Sequence, residues 1–416
     1  MDRAKLMNCS LQLVCRKGQA PRFLRRAPAS LRNGAALIAT IMLASCGSKA
    51  NMSTTTVPQG KSASSQYAQL IASVASPNST TLWVRLTSGD VFYSSDSGST
   101  WVRSTPSQWN SAPALATRPS PGPTPFSVTA NSAHMAHELR QGVISVANSS
   151  DQGNTWQVAD LPKSYPQGTG PVGVSFPNAS DGWASVNLLS GSAFAHTDLF
   201  ETTNAGSTWS LETQINGAAG PVEFITPTAG FAGNTPGMNQ LLMTIDGGKS
   251  WNQVALPIPA GMQAQQILAP GLPIFTDHEH GFMYVAFEKK VGHGPLVPYM
   301  DETQDGGLTW TQVALPSASN QPIVWSVVSP TNWFLVSSDS VMHTTDGGNT
   351  WSTVTPNKTL TNVQTVAFSS DNIGVAVIDT STCPKPSSLD HVHCIPNNGL
   401  IRTTDGGKTW HSLAFP

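Results

Sequence analysis

The sequence predicts an all-β chain, a seven-bladed β-propeller of four-stranded antiparallel blades, and three observations carry that prediction. An eight-residue pattern, Ser/Thr-x-Asp-x-Gly-x-Ser/Thr-Trp, recurs seven times: Ser94–Trp101, Ser149–Trp156, Thr202–Trp209, Thr244–Trp251, Thr303–Trp310, Thr344–Trp351 and Thr403–Trp410, the third copy having Asn for Asp. Successive tryptophans of this box lie 41 to 59 residues apart, the scale of one four-stranded blade. Only 11% of residues are charged, while 35 Gly and 31 Pro are spread along the chain. That composition suits short strands joined by turns better than surface helices.

Each residue type in the box has a mechanical task. The acids Asp96, Asp151, Asp246, Asp305, Asp346 and Asp405, with Asn204 in the third copy, can accept hydrogen bonds from amides of their own turn. The Gly two positions later supplies a positive φ. The following Thr or Ser favours a strand. The tryptophans Trp101, Trp156, Trp209, Trp251, Trp310, Trp351 and Trp410 offer large apolar plates that lock each hairpin onto its neighbour. Acids committed to a turn are structural, which argues against a catalytic, calcium or substrate role for them.

The apolar runs upstream of each box supply the other strands. In the third unit these are Val172 to Phe176, Gly182 to Val186 after a turn at Asn178 to Asp181, and Leu199-Phe200 leading into the box. Comparable runs are Leu82 to Leu86 with Val91 to Tyr93, Gly230 to Ala232 with Leu241 to Met243, Gly281 to Phe287, Trp333 to Val336, and Gly374 to Ile378. The box is then the turn between third and fourth strands. A single blade cannot bury both faces, so the units must stack and close into a ring, expected over residues 67–416.

The N-terminal region reads as an export signal. Eight Lys/Arg and one acid in residues 1–45 precede a short apolar run, Ala35 to Leu43, too short for a stable membrane span but right for a signal peptide. It ends in Leu43-Ala44-Ser45-Cys46, which resembles the bacterial lipobox. Residues 1–45 are therefore expected to be a lipoprotein signal peptide and Cys46 the lipid attachment site; the alternative is an ordinary signal peptide with a cysteine near its end. Residues 46–66, polar after the cysteine, should form a flexible tether. Cys383 and Cys394 read as a disulfide in an oxidising compartment, with free buried thiols as the alternative. The remaining chain carries 14 bases and 23 acids. This acidic body argues against a nucleic-acid partner, which requires clustered Lys/Arg.

The box resembles the bacterial neuraminidase repeat, or Asp box, shared by sialidases, sortilin-type receptors and photosystem II stability and assembly factors. The combination of Gly182-Trp183-Ala184 before a box and Asp405-Gly406-Gly407-Lys408-Thr409-Trp410 within one is most similar to the assembly-factor group, which are exported propellers. A sialidase resemblance would imply an arginine triad, an Arg-Ile-Pro segment and a Tyr/Glu nucleophile pair. Beyond the leader there are five arginines, Arg85, Arg103, Arg118, Arg140 and Arg402, no Arg-Ile-Pro, and no Tyr after Tyr299. Arg85 and Arg103 fall in expected strands of the first blade, where surface roles are expected.

Other candidate sites come from the residues themselves. The connections Leu188 to Asp198, Lys289 to Asp301 and Thr380 to Asn398, with the inter-blade segment Ser104 to Pro125, should crowd the face opposite the boxes and make it the binding face. Glu223, on the expected inner strand Pro221 to Ile225, is the acid to examine for a two-carboxylate hydrolase; the alternative is a solvated acid lining the channel. His278 and His280 share one side of an extended segment, as do His391 and His393, so each pair could supply two metal ligands; solvated turn residues are the alternative. The reading that follows is a membrane-anchored, extracytoplasmic lipoprotein that binds another envelope protein on the face opposite the boxes. It requires no cofactor, and the alternative function is an extracytoplasmic glycoside hydrolase.

Overall fold

The computed structural model describes residues 70–109, 126–138, 142–165, 169–170, 172–188, 196–216, 220, 222–233, 241–264, 267–268, 271–288, 296–316, 323–360, 362–382, 395 and 397–416. The chain forms a seven-bladed β-propeller in which each blade is an antiparallel sheet with strands in sequence order from first to fourth. Among the described residues there is no α-helix.

Blade I comprises Ile71–Ala75, Leu82–Leu86, Val91–Ser94 and Val102–Arg103; blade II comprises Phe126–Val128, Ala133–Glu138, Val143–Ser149 and Gln157–Ser164. Blade III uses Val172–Ser175, Gly182–Leu188, His196–Thr202 and Ser210–Asn216, and blade IV the shorter Val222–Phe224, Gly230–Ala232, Leu242–Thr244 and Asn252–Gln253. In blade V the first strand is split into Ile267–Leu268 and Ile274–Phe275, both paired to Gly281–Glu288, followed by Leu296–Thr303 and Thr311–Ala314. Blade VI has Val324–Ser329, Asn332–Val336, Val341–Thr344 and Ser352–Val354, and blade VII Val363–Phe368, Gly374–Asp379, Asn398–Thr403 and His411–Ser412.

The core is distributed between blades. Seven apolar clusters each join two neighbouring blades, because alternate residues of every strand face opposite neighbours. Aromatic stacks tie several interfaces: Trp183 lies on Phe224 at 3.8 Å and Phe334 on Phe368 at 3.7 Å. Gly182 opens its strand because the Phe176 ring occupies the space of a side chain, with a Cβ falling 2.3 Å from Cε1.

The ring closes between blades VII and I without exchanging a strand. Asn398 Oδ1 accepts the amide of Ile71 at 2.9 Å, while its Nδ2 donates to the Ile71 carbonyl at 2.8 Å. Phe415 packs edge-on against both Phe92 and Trp101, and the Trp101 indole donates to the Ala414 carbonyl at 2.9 Å. The chain's last residues thus latch the first blade to the last.

Candidate functional site

The seven boxes share one hydrogen-bond pattern. The opening Ser/Thr hydroxyl donates to the Asp carboxylate and accepts the amide of the box Gly, as Ser94 does with Asp96 and Gly98, each at 2.8 Å. The same Asp96 Oδ1 also receives the Thr100 amide at 2.8 Å, and Oδ2 receives the Thr100 hydroxyl at 2.6 Å. These donors hold the Asp96 carboxyl down at about 2, Thr100 contributing most, and Asp246 is held at about 2 by Ser250 and Thr244. In box III the Asn204 oxygen still accepts the Thr208 amide, and the last bond reverses, Nδ2 donating to the Thr208 hydroxyl at 2.8 Å.

The residue before each box Gly donates its amide to the turn between first and second strands of the same blade. The pairs are Ser97–Thr80, Gln152–Asn131, Ala205–Ser180, Gly247–Thr228, Gly306–Glu279, Gly347–Thr331 and Gly406–Asn372, at 2.8 to 3.0 Å. The box end of each blade is therefore a welded double turn whose acids have their lone pairs engaged. Little of that chemistry is available to a ligand.

The inner strands line the channel, and among their described residues Glu223 is the one acid. It is partly exposed yet hemmed in by protein, and burial pushes its carboxyl up to about 7, slightly offset by the Ser175 hydroxyl. A group titrating there can hold or release a proton near neutrality, but hydrolysis by paired carboxylates needs a second acid across the substrate.

Toward the end opposite the boxes, polar groups are buried between blades. Asp198, 0% exposed, accepts bonds from Lys163 Nζ at 2.5 Å, the Tyr165 hydroxyl at 2.8 Å and Gln214 Nε2 at 2.8 Å. Burial pushes its carboxyl up, but these three donors outweigh it and hold it below the ordinary range. The Tyr165 hydroxyl is pushed up by burial and then by Asp198. This cluster is not legible in the sequence because its members come from two blades and Asp198 lies in a largely polar strand, His196–Thr202.

Arg85 departs from its expected surface role. It is buried, its Nη2 donates to the Ala136 carbonyl of blade II at 2.7 Å, and burial lowers it to about 10. The strand is covered by the next blade, so its alternation does not mark a solvent face. His137 beside it is brought down to about 4 by burial and then by the Arg85 charge, Asp90 acting weakly in the other direction. Arg103 is about half exposed and pairs with Asp90 at 2.5 Å.

The first histidine pair diverges. His278 Nδ1 lies 2.8 Å from the Ile225 carbonyl of blade IV, whereas His280 Nδ1 meets the Asp277 carboxylate of its own turn at 2.9 Å. Among the described residues no group of three His, Cys, Asp or Glu could hold a metal, and no helix is long and apolar enough to cross a membrane. Cys46, Cys383, Cys394, His391 and His393 lie outside the described residues.

No protein-family model matches the sequence, and no curated protein matches it. Solved structures similar in fold include the GH74 enzyme of Niastella koreensis, at 14% identity and TM-score 0.50, covering 84% of this chain and 66% of that one. The GH74 xyloglucanase from Xanthomonas campestris follows at 14% and 0.49, covering 83% and 67%. YCF48 bound to D1 peptide stands at 12% and 0.48, covering 82% and 92%. The chain spans about two thirds of the length of the two GH74 enzymes. The likeness is one of fold, a β-propeller, and the chemistry of this chain has to be read from its own side chains.

Proposed function

We propose that this protein is a cell-envelope lipoprotein whose propeller is a non-enzymatic scaffold for another envelope protein, docked on the face opposite the boxes. The observation that carries the reading is the single acid on the described inner strands: Glu223 has no second carboxylate on them, while the box acids are engaged in their turns. A ring with polar ties between blades such as Asp198–Lys163 suits presentation of loops better than chemistry in the channel. Lipid at Cys46 would hold it at the membrane.

A second reading, an extracytoplasmic glycoside hydrolase, is favoured by one feature, the Glu223 carboxyl raised to about 7, a value fit for a general acid. Two experiments separate them. Photo-crosslinking residues placed at Leu188, Glu288 or Thr345 of the full chain in intact cells should trap a discrete partner from Leu188 and Glu288, at the second-to-third connections, and none from Thr345 in a box. Turnover of a chromogenic glycoside by the purified protein, abolished by Glu223→Gln, would instead establish the hydrolase.

A further inference from the structure

Position by position, the third strands of the seven blades are equivalent, and the residue two before each box points at the preceding blade. It is Phe92, Ala147, Phe200, Leu242, Met342 and Ile401 in six blades, opposite Val84, Met135, Ala184, Ala232, Leu335 and Ala376 on the second strands. In blade V the same position is Asp301, opposite Met283. A carboxyl thus replaces an apolar side chain in the interface between blades IV and V.

Asp301 is 0% exposed. Its Oδ1 accepts Gln312 Nε2 at 3.1 Å, and its Oδ2 is buried without a hydrogen-bond partner. Leaving a buried carboxylate oxygen unsatisfied is costly, and neutralisation is the usual relief. On this face its own strand presents Tyr299 and Thr303, the second strand Met283 and Val285, and the fourth strand Gln312. Blade IV presents Ile225, Phe231, Leu241, Met243 and Val254, with the His278 ring of blade V bonded to the Ile225 carbonyl at the box end. No Lys, Arg, Asp or Glu occurs among these neighbours; Tyr299 and His278 are the titratable ones. Burial pushes the carboxyl up to about 7, opposed weakly by Gln312.

The covering element is also a slight outer edge, as short as the fourth strands of blades I and VII. The fourth strand of blade IV has two residues, Asn252–Gln253. Val254 donates its amide to the Leu241 carbonyl at 2.8 Å, and Met262 bonds back to Pro259 within the same segment. Beyond Val254 the segment packs Leu256 and Met262 against the apolar cluster shared by blades IV and V.

We propose that Asp301 makes the joint between blades IV and V proton-responsive, closed while its carboxyl is neutral and loosened when it ionises, with segment 252–264 as the part that releases. The sign follows from linkage. An acid whose folded value is raised stabilises the closed state below its unfolded value, near 4, and that stability is lost as pH rises toward about 7, then stays level. The joint is therefore tightest in mild acid and loosest at neutrality.

Hydrogen exchange of the full chain, corrected for intrinsic rates, tests this. Opening of 252–264 should rise by about tenfold per pH unit between roughly pH 5 and 7 and level off above. Asp301→Asn and Asp301→Leu, the latter installing the residue type of blade IV, should flatten that slope, while Glu223→Gln keeps it. A flat wild-type profile overturns the proposal whatever the variants do. So does a slope that survives in Asp301→Leu, or one spread equally over all blades.

Discussion

In blades IV–VII the first left-handed residue of the box is a glycine (Gly247, Gly306, Gly347, Gly406), whereas in blades I–III it is Ser97, Gln152 or Ala205, at φ 64°, 62° and 56°. The indoles divide the same way. Trp251, Trp310, Trp351 and Trp410 donate to the carbonyl of their own box Gly at 2.9 to 3.0 Å. Trp101 turns instead to Ala414, and the nitrogens of Trp156 and Trp209 are buried without a partner. In blade II the Gly153 carbonyl is taken by Ser104 of blade I at 2.6 Å. Apart from the reversed Asn204–Thr208 bond of box III, the bonds among Ser/Thr, Asp or Asn, and Thr/Ser do not change between the groups. They alone define the turn, strongly enough to keep a side-chain-bearing residue in a region that costs it about 1–2 kcal/mol.

The strongest test of that division lies at the second left-handed position, glycine in both groups. A Cβ on Gly153 would sit 1.8 Å from Ser104 Oγ, and one on Gly248, at φ 95°, would sit 2.6 Å from Leu199 Cδ2. Backbone strain and overpacking add, so Gly153→Ala and Gly248→Ala should each cost about 3 kcal/mol in urea unfolding. A loss below about 1 kcal/mol at either would mean that the interface behind the box yields more readily than its packing implies.

A smaller effect separates box III from the rest under acid. The box aspartates are depressed, to about 2 for Asp96 and Asp246, so the stability they give is present above their unfolded value near 3.9 and lost as pH falls toward 2. Asn204 has no proton to take up. At pH 2.5 the amide of Thr208, bonded to Asn204 Oδ1, should remain protected from exchange longer than those of Thr100 and Ser250, bonded to Asp96 and Asp246. Asn204→Asp should remove the difference.

Much of the ring was legible because its signal is local and repeated. The expected Gly281 to Phe287 and Val91 to Tyr93 each differ by one residue from the strands observed. The split first strand of blade V is not legible in the sequence, since Pro270, Gly271 and Pro273 interrupt the apolar run. Arg85, the Lys163–Tyr165–Asp198 cluster and the buried Asp301 were illegible for another reason: both faces of a propeller strand are covered, so alternation does not tell inside from outside. Closure is harder still, because Asn398 and Ile71 are neighbours in the ring yet lie far apart in the sequence.

The smallest effect concerns the first left-handed residue, where the two groups differ by design of the sequence and space is available. A Cβ on Gly247 would come no nearer than 3.4 Å, to the Pro227 carbonyl, so Gly247→Ala tests backbone conformation with little clash. Non-glycine residues lose about 1–2 kcal/mol in this region, while glycine gives back roughly 0.5–1 kcal/mol through its freer unfolded chain. The difference leaves about 0.5 kcal/mol in favour of glycine. Ala205→Gly should therefore stabilise blade III by about that amount, and Gly247→Ala should destabilise blade IV by a similar amount. Both shifts lie near the limit of urea titration and are better read as local exchange at Thr208 and Ser250. If Ala205→Gly instead destabilises, the Ala205 methyl contributes packing that offsets its strain, and the first three boxes are adapted to their side chains rather than tolerant of them.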